Sequence, residues 1–514
     1  MSSLAAKFLL FALLCAACAS PYDKAVKFYS RDDADSLKYR AALFLREHAD
    51  FHYGVDRFLA DKDGFRVDSV NPLEFANGPE YMAWLDSLGF RFAEGEPVMD
   101  ADAVTADFLI ENIELAFQVW QEPWAKRMTF GDFCSYVLPY RNIDEKISHW
   151  RRRLMEKYLP SVKDSVDDCT SHVEVAQYLM RCLKRDLGYS QRMKSFYIDY
   201  MTPEETEKMH FLECRALANY GTLVLRACGV PCATILTHWR FTELYHASVY
   251  LPALCGDTAS YRTSVYDELQ QMGLPKDTMA SCRTLLYSYE ANDELLGLLH
   301  EGVVPENLIL PVTRRDITDE FSITLQYERE LPDSLAGEPY VYLMRFNRWN
   351  WYPIRYGKVE NGKAVFEKAT VHQLYMLGRK DPVSGEIITC GVPFTIDSNG
   401  HTDEFCADGE IVTISLAYNC EDTERRPVRR ITSSYWTGSG WKNITVDALL
   451  WGFNEKTVDY KEYTPELGEH GYKPVFHLAS FKVPEWSIIY DDYWERPMGY
   501  KKPADEDDRN YMQY

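Results

Sequence analysis

A cysteine and a histidine stand at distances that suit acyl-transfer chemistry in the segment from Glu213 to Leu251. It reads E-C-R-A-L-A-N-Y-G-T-L-V-L-R-A-C-G-V-P-C, continues through a short apolar stretch to His238-Trp239, and ends H-A-S-V-Y-L. Cys214 is expected in the first turn of a helix, and His246 at the head of a strand that folds back against it. A cysteine at a helix N-terminus faces unpaired backbone N–H groups and the positive end of the dipole, which stabilise thiolate over thiol. A histidine within reach takes the proton, and a carboxylate or amide on its far nitrogen fixes its tautomer. The backbone N–H of Cys214 itself could help hold the oxyanion of a tetrahedral intermediate.

The elements that must position these groups can be read around them. Ala216, Tyr220, Leu223, Val224 and Ala227 follow Cys214 at buried-face spacing, so the helix should pack on a sheet and hold the thiol rigidly. Gly229 stands where a C-cap glycine is expected, and Pro231 prevents continuation. Cys232 to His238 and His246 to Leu251 read as short strands. Upstream, helical spacing recurs within Ala34–Leu59 (with Asp35 or Ser36 as cap), then in Ala106–Trp120, Ile147–Tyr158 and Val173–Leu187. The first half therefore reads as mainly helical up to about residue 227. After about residue 318, alternating runs such as E-F-S-I-T-L-Q-Y, V-Y-L-M-R-F and E-I-V-T-I-S-L-A-Y dominate. Glu360-Asn361-Gly362 and Ser398-Asn399-Gly400 mark turns between them, a texture that suits β-sandwich modules.

Other chemistries have weaker support. Cys228, Cys232, His238, His246 and Cys255 offer soft ligands for zinc, but the Cys228–Cys232 pair straddles a Gly-Val-Pro turn and no second close pair follows. No metal or cofactor site is therefore expected. His48 and His52 lack the intervening glutamate of a zinc protease motif and read as surface histidines. No phosphate-cradling or dinucleotide fingerprint is present. The aromatic runs at 348–352 and 433–441 could form a stacking face for sugar or peptide, although strand pairing and core packing account for them more simply.

At 514 residues the chain should hold three or four domains of about 150 residues each. Its 46% hydrophobic and 14% aromatic content is enough for sizeable cores. With 56 basic against 78 acidic residues, a net charge of -22, it lacks the basic footprint that nucleic acid requires. Lys7 precedes an apolar run, Phe8 to Ala17, too short to span a bilayer and shaped like a secretion signal. The following L-L-C-A-A-C-A-S resembles a bacterial lipobox, with Cys18 as the lipidated residue and Cys15 the weaker candidate. Eleven later cysteines are scattered without the spacing of a disulfide scaffold, though single bridges in the C-terminal region remain open. The acidic tail reads as a solvated end.

The central motif is similar to that of transglutaminase-like domains, in which G-x-C is followed twelve residues on by R-A-x-G-I-P and then by H-A-W-V. Here Cys214 is followed at Arg226 by R-A-C-G-V-P and at His246 by H-A-S-V, with Leu212 and Ser248 departing from the pattern. D-S-L-K-Y-R-A-A-L-F-L, A-D-F-L-I-E-N-I-E-L-A-F-Q-V-W, Y-V-L-P-Y-R-N-I-D-E-K-I-S-H-W-R and F-K-V-P-E-W-S-I-I-Y resemble blocks of large bacterial lipoproteins with such a domain. The resemblance implies an α+β fold: a lipoprotein signal (1–17), a helical region (18–125) and a transglutaminase-like, papain-like core (126–295). A β-sandwich module (296–400) and a β-rich module with the acidic tail (401–514) complete it. It also implies a Cys214–His246–Asp triad. Asp257 lies in a Cys-Gly-Asp turn and Asp267 at the end of a V-Y-D strand, and Asp267 is preferred. Such a protein would be lipid-anchored in the bacterial cell envelope and act on a peptide, protein or cell-wall substrate through a thioester, by hydrolysis or transfer. A catalytically inactive relative that binds peptide or glycan is the alternative, and Arg226 is expected to pair with a carboxylate or a helix end.

Overall fold

A computed structural model describes residues 20–405, apart from 68–73, 77, 168–169, 190–201, 240–244, 268, 273–280, 302–311 and 348–349, and strand segments between 411 and 499. The signal segment with Cys15 and Cys18, the acidic tail, and Cys169, Cys406 and Cys420 lie outside them. The fold is α+β. Among the described residues its helices of seven or more residues are α1 (Pro21–Tyr29), α2 (Ser36–Glu47), α3 (Gly78–Leu88), α4 (Ala106–Trp120), α5 (Phe130–Tyr136), α6 (Trp150–Lys163), α7 (His172–Asp186), α8 (Pro203–Met209), α9 (Cys214–Ala227) and α10 (Asp293–His300). Ser20, Thr129, Ser171 and Thr202 start α1, α5, α7 and α8 with capping boxes, each reciprocated by an acid three residues on. None of the described helices is long and apolar enough to cross a membrane.

The helical reading of 34–59 fails at its end. Helix α2 stops at Glu47, and Tyr53–Ala60 is strand β1, paired antiparallel with β2 (Arg91–Met99). Once the chain leaves α2 the backbone hydrogen bonds of this stretch go to a distant partner, which a local window cannot see. His48 and His52 therefore share no helix, and His52 is no surface residue. It is 7% exposed, its ring stacks on Tyr289 at 4.0 Å, and its Nε2 donates to the Tyr289 carbonyl at 2.8 Å.

A six-stranded antiparallel sheet comprises β3 (Ala233–Trp239), β4 (Tyr245–Leu251), β5 (Tyr261–Thr263), β6 (Gln270–Gln271), β7 (Ser281–Tyr287) and β8 (Arg314–Asp316), in the order β8-β7-β3-β4-β5-β6. A seven-stranded antiparallel sheet comprises β9 (Thr324–Glu330), β10 (Tyr340–Asn347), β11 (Asn350–Glu360), β12 (Lys363–Thr370), β13 (Leu374–Lys380), β14 (Ile387–Ile396) and β15 (Thr402–Glu404), in the order β9-β12-β11-β10-β13-β14-β15. The turn from β11 to β12 is tight because Asn361 and Gly362 both take positive φ, 53° and 75°.

One apolar core runs from Tyr22 to Tyr289 and joins the helices before residue 125 to those after it. The expected helical region and the central core thus share one interior, and the division expected at 295/296 falls inside α10. A buried polar knot ties this union. Tyr22, Tyr140 and Tyr289 bond to one another through their hydroxyls, Tyr140 donates to Asp100 at 2.8 Å, and Asp100 pairs with fully buried Arg141 at 2.5 Å.

The end of α9 matches its sequence signal. Gly229 sits at φ 75°, Val230 N–H bonds the Leu225 carbonyl at 3.0 Å and Gly229 N–H bonds that of Arg226 at 3.2 Å, which is a Schellman cap. A Cβ on Gly229 would stand 2.5 Å from the Val119 carbonyl of α4.

Two outcomes are expected. Gly229→Ala should lower unfolding stability by about 2–4 kcal/mol in urea titration, combining left-handed strain with the clash. Burial pulls the imidazole of His52 down to about 4. The unfolded chain then binds a proton that the folded one refuses. Stability should be full above pH 6.5 and fall by about 3 kcal/mol as pH drops toward 4, a limb that shrinks in His52→Gln.

Candidate active site

Helix α9 is enclosed on every side rather than along one face, since all its residues from Ala216 to Ala227 are buried. Its small residues allow this. At Gly221 an added Cβ would stand only 3.1 Å from Met180 of α7 and 3.6 Å from Val249 of β4. Its polar residues are matched: Asn219 accepts from Asn142 at 2.7 Å, Thr222 and Thr234 share a hydrogen bond of 3.0 Å, and Tyr220 donates to Glu207 at 2.6 Å. Arg226, 2% exposed, donates to the carbonyls of Tyr136, Arg141 and Cys232 at 3.1–3.2 Å. The helix-end partner expected for Arg226 is the carbonyl of Tyr136, the last residue of α5, and the Arg141 and Cys232 carbonyls complete its set.

These contacts orient the helix. Cys232 Sγ donates to the Thr222 carbonyl, whereas Thr234 reaches Ala218, so contacts step back along α9 as β3 advances. The helix therefore runs against β3 and along β4, which is antiparallel to β3. Cys214 lies seven residues before Gly221, about 10 Å along the axis. His246 lies three before Val249, also about 10 Å along the strand. Because Gly221 and Val249 touch, Cys214 and His246 arrive at the same end of the pair.

Of the two acids, Asp267 is the one that meets the histidine: His246 Nε2 lies 2.7 Å from Asp267 Oδ2. The carboxylate can only accept, so the proton is on Nε2 and Nδ1 is the basic nitrogen. The His246 hydrogen bond, against some burial, holds Asp267 below the usual carboxylate range. The Ser264 hydroxyl fixes the bend through the N–H groups of Tyr266 and Asp267, at 3.2 and 2.8 Å. Asp257 is engaged elsewhere, by Arg127 at 2.5 Å and by the Leu254 N–H at 2.9 Å.

The thiol has a neighbour that the spacing did not reveal. Glu213, 6% exposed, is the N-cap of α9, and its Oε1 accepts from the N–H groups of Arg215 and Ala216 at 2.8 and 3.3 Å. Its Oε2 accepts from Cys214 Sγ at 3.5 Å, and Cys214 is 8% exposed. An acid directly before the first helical residue is a capping signal that the sequence carries openly. Arg215 pairs with Asp144 at 3.2 Å beside it. At the two departures from the family pattern, Leu212 is fully buried in a short parallel pairing of 211–212 with 188–189. Ser248 is 1% exposed, and its hydroxyl has no hydrogen-bond partner among the described residues.

Burial pushes the Cys232 thiol up to about 12 and that of Cys228 higher still. Among the described residues no group of three His, Cys, Asp or Glu could hold a metal, and the eight cysteines are unbridged. Trp239 ends β3, but its side chain lies outside the described residues, as do Arg348, Trp349 and the side chains of 433–441.

Neither protein-family models nor curated proteins match the sequence.

Asp267→Asn should leave the fold intact, with at most about 1 kcal/mol lost because the pair is partly exposed. The expected signature is a shift of the His246 tautomer from Nε2–H toward a mixture, read by 15N NMR of histidine-labelled protein.

Proposed function

We propose that the chain is an envelope lipoprotein with a transglutaminase-like, papain-like core, followed by β-sandwich modules and anchored through Cys18. Cys214 is the nucleophile, His246 the general base and acid, and Asp267 the residue that orients the imidazole. The Cys214 sulfur attacks a carboxamide or peptide carbonyl while the thiol proton passes to His246. The C–N bond then breaks as the amine leaves with that proton. Water, or a second amine, resolves the thioester and restores the thiol. Hydrolysis of a peptide, protein or cell-wall amide suits an envelope protein better than crosslinking. The observation that carries this reading is the His246–Asp267 hydrogen bond at the same end of the helix–strand pair as Cys214.

One observation favours the alternative, an inactive domain that binds peptide or glycan. Glu213 occupies the anion seat of α9 and accepts from the Cys214 thiol. A carboxylate there takes N–H groups that would otherwise stabilise a thiolate. The N–H of Cys214 is not one of the two it takes, so the oxyanion role of that group is compatible with the cap.

A thiol-directed acyl electrophile applied to the folded protein should label Cys214, and His246→Ala should slow labelling about 10²–10⁴-fold. Labelling that persists in Cys214→Ala, or that ignores His246→Ala, would overturn the catalytic reading. Faster labelling in Glu213→Gln would identify the carboxylate as the brake.

A further inference from the structure

Helix α1 begins almost at the proposed lipid anchor. Only Ala19 separates Cys18 from Ser20, whose side chain caps α1 by accepting from the Asp23 N–H. Two residue steps span at most about 7 Å, so a lipid on Cys18 would hold the start of α1 at the membrane surface. The helix is itself fixed to the core. Tyr22, Ala25, Val26 and Tyr29 are buried, and the hydroxyls of Tyr22 and Tyr29 bond Tyr140 and Glu114 at 2.7 and 3.0 Å.

The opposite stripe of α1 carries Lys24, Lys27 and Phe28, at positions i, i+3 and i+4, and Arg31 follows in the turn beyond. All four are exposed, Phe28 at 44%. Other cations nearby are answered, Lys38 by Asp35 and Glu114, and Arg46 by Asp23 at 3.5 Å. Lys24, Lys27 and Arg31 make no ion pair among the described residues. Asp23, the acid within α1, also receives the N–H and hydroxyl of Ser20. Asp32 and Asp33, exposed directly after Arg31, mark where the basic stretch ends.

The sign of this charge matters because the chain as a whole is at -22. An anionic leaflet repels such a body, and salt confines the effect to charges within about 8 Å of the headgroups. The groups nearest the anchor therefore decide the contact, and the stripe of α1 offers them as cations around one exposed ring. Tethering supplies a high effective concentration, so contacts too weak to recruit a free protein suffice.

We propose that the Lys24–Lys27–Phe28–Arg31 face of α1 docks on an anionic phospholipid bilayer and holds the helical core flush against the membrane. This docking rests on the anchor at Cys18 proposed above.

The test tethers the mature chain to vesicles in two forms. One is acylated on Cys18 in a bacterial host. The other, Cys18→Ser, is held by an N-terminal oligohistidine on chelating lipid. Lysines are acetylated by an uncharged reagent and read by mass spectrometry, on vesicles with phosphatidylglycerol and on vesicles of phosphatidylcholine alone. Lys24 and Lys27 should react at least about fivefold more slowly on the anionic vesicles, the weight of one cation at a charged leaflet. Lys358, 67% exposed on the seven-stranded sheet, should react equally on both. Phe28→Asp combined with Arg31→Glu changes two exposed positions, leaves both probes in place, and should abolish the difference. A missing acyl mass on the Cys18 peptide would refute the anchor, while the oligohistidine form still decides the docking face. Equal rates at Lys24 and Lys27 on the two kinds of vesicle, or slowing that persists in the double variant, overturns the docking.

Discussion

Everything near the candidate site hangs on a guanidinium that is solvated by peptide carbonyls instead of by water. Arg226 spans Tyr136, Arg141 and Cys232, and Arg151 continues the array onto Val137, Leu138, Pro139 and the Arg226 carbonyl itself. Two like charges lie side by side in the interior, and burial, with their mutual repulsion at Arg151, pulls that group down to about 9. Carbonyl dipoles from a turn that makes no regular secondary structure pay the solvation cost. That turn is in exchange relieved of buried acceptors without donors. The C-terminal half of α9 is thereby locked to the 136–141 segment and to the start of β3. A rigid helix then projects Cys214 to a defined height on β4.

The opposite end of α9 is electrostatically less settled. A helix N-terminus offers a seat for one anion, and Glu213 sits there, satisfying two backbone donors and accepting from the thiol. Capping and thiolate formation draw on the same positive end. The cap favours folding, and a catalytic thiolate would have to share the seat.

Much of the secondary structure was legible because it depends on short-range patterns. The bounds read for α4, Ala106 to Trp120, are those observed, since Thr105 caps it and its apolar period is unbroken. The turn after α9 followed from one glycine that must take positive φ and a proline that cannot continue a helix. The hairpin at Asn361-Gly362 followed from the twist that such dipeptides favour. Helix α6 runs past its expected end at Tyr158 to Lys163 even though Pro160, inside its last turn, gives up the N–H bond to the preceding turn. Strand β1, the burial of His52 and the shared interior of the first and second segments were not legible. Each depends on partners tens to hundreds of residues away.

The sequence by itself determined local conformation and the intervals between chemically capable residues, because steric preference and burial period act within a few positions of the chain. It named a sulfur, an imidazole and two possible acids, and the helix stop that aligns them. Only the tertiary structure decided which acid meets the imidazole, because that choice turns on how β5 and β6 lie against β4, not on distance along the chain. It alone set the Glu213 carboxylate against the thiol and brought two distant arginines, Arg283 and Arg355, onto one aspartate, Asp316. Charge placement is a property of sheet register and domain packing, and no spacing within a single segment encodes it.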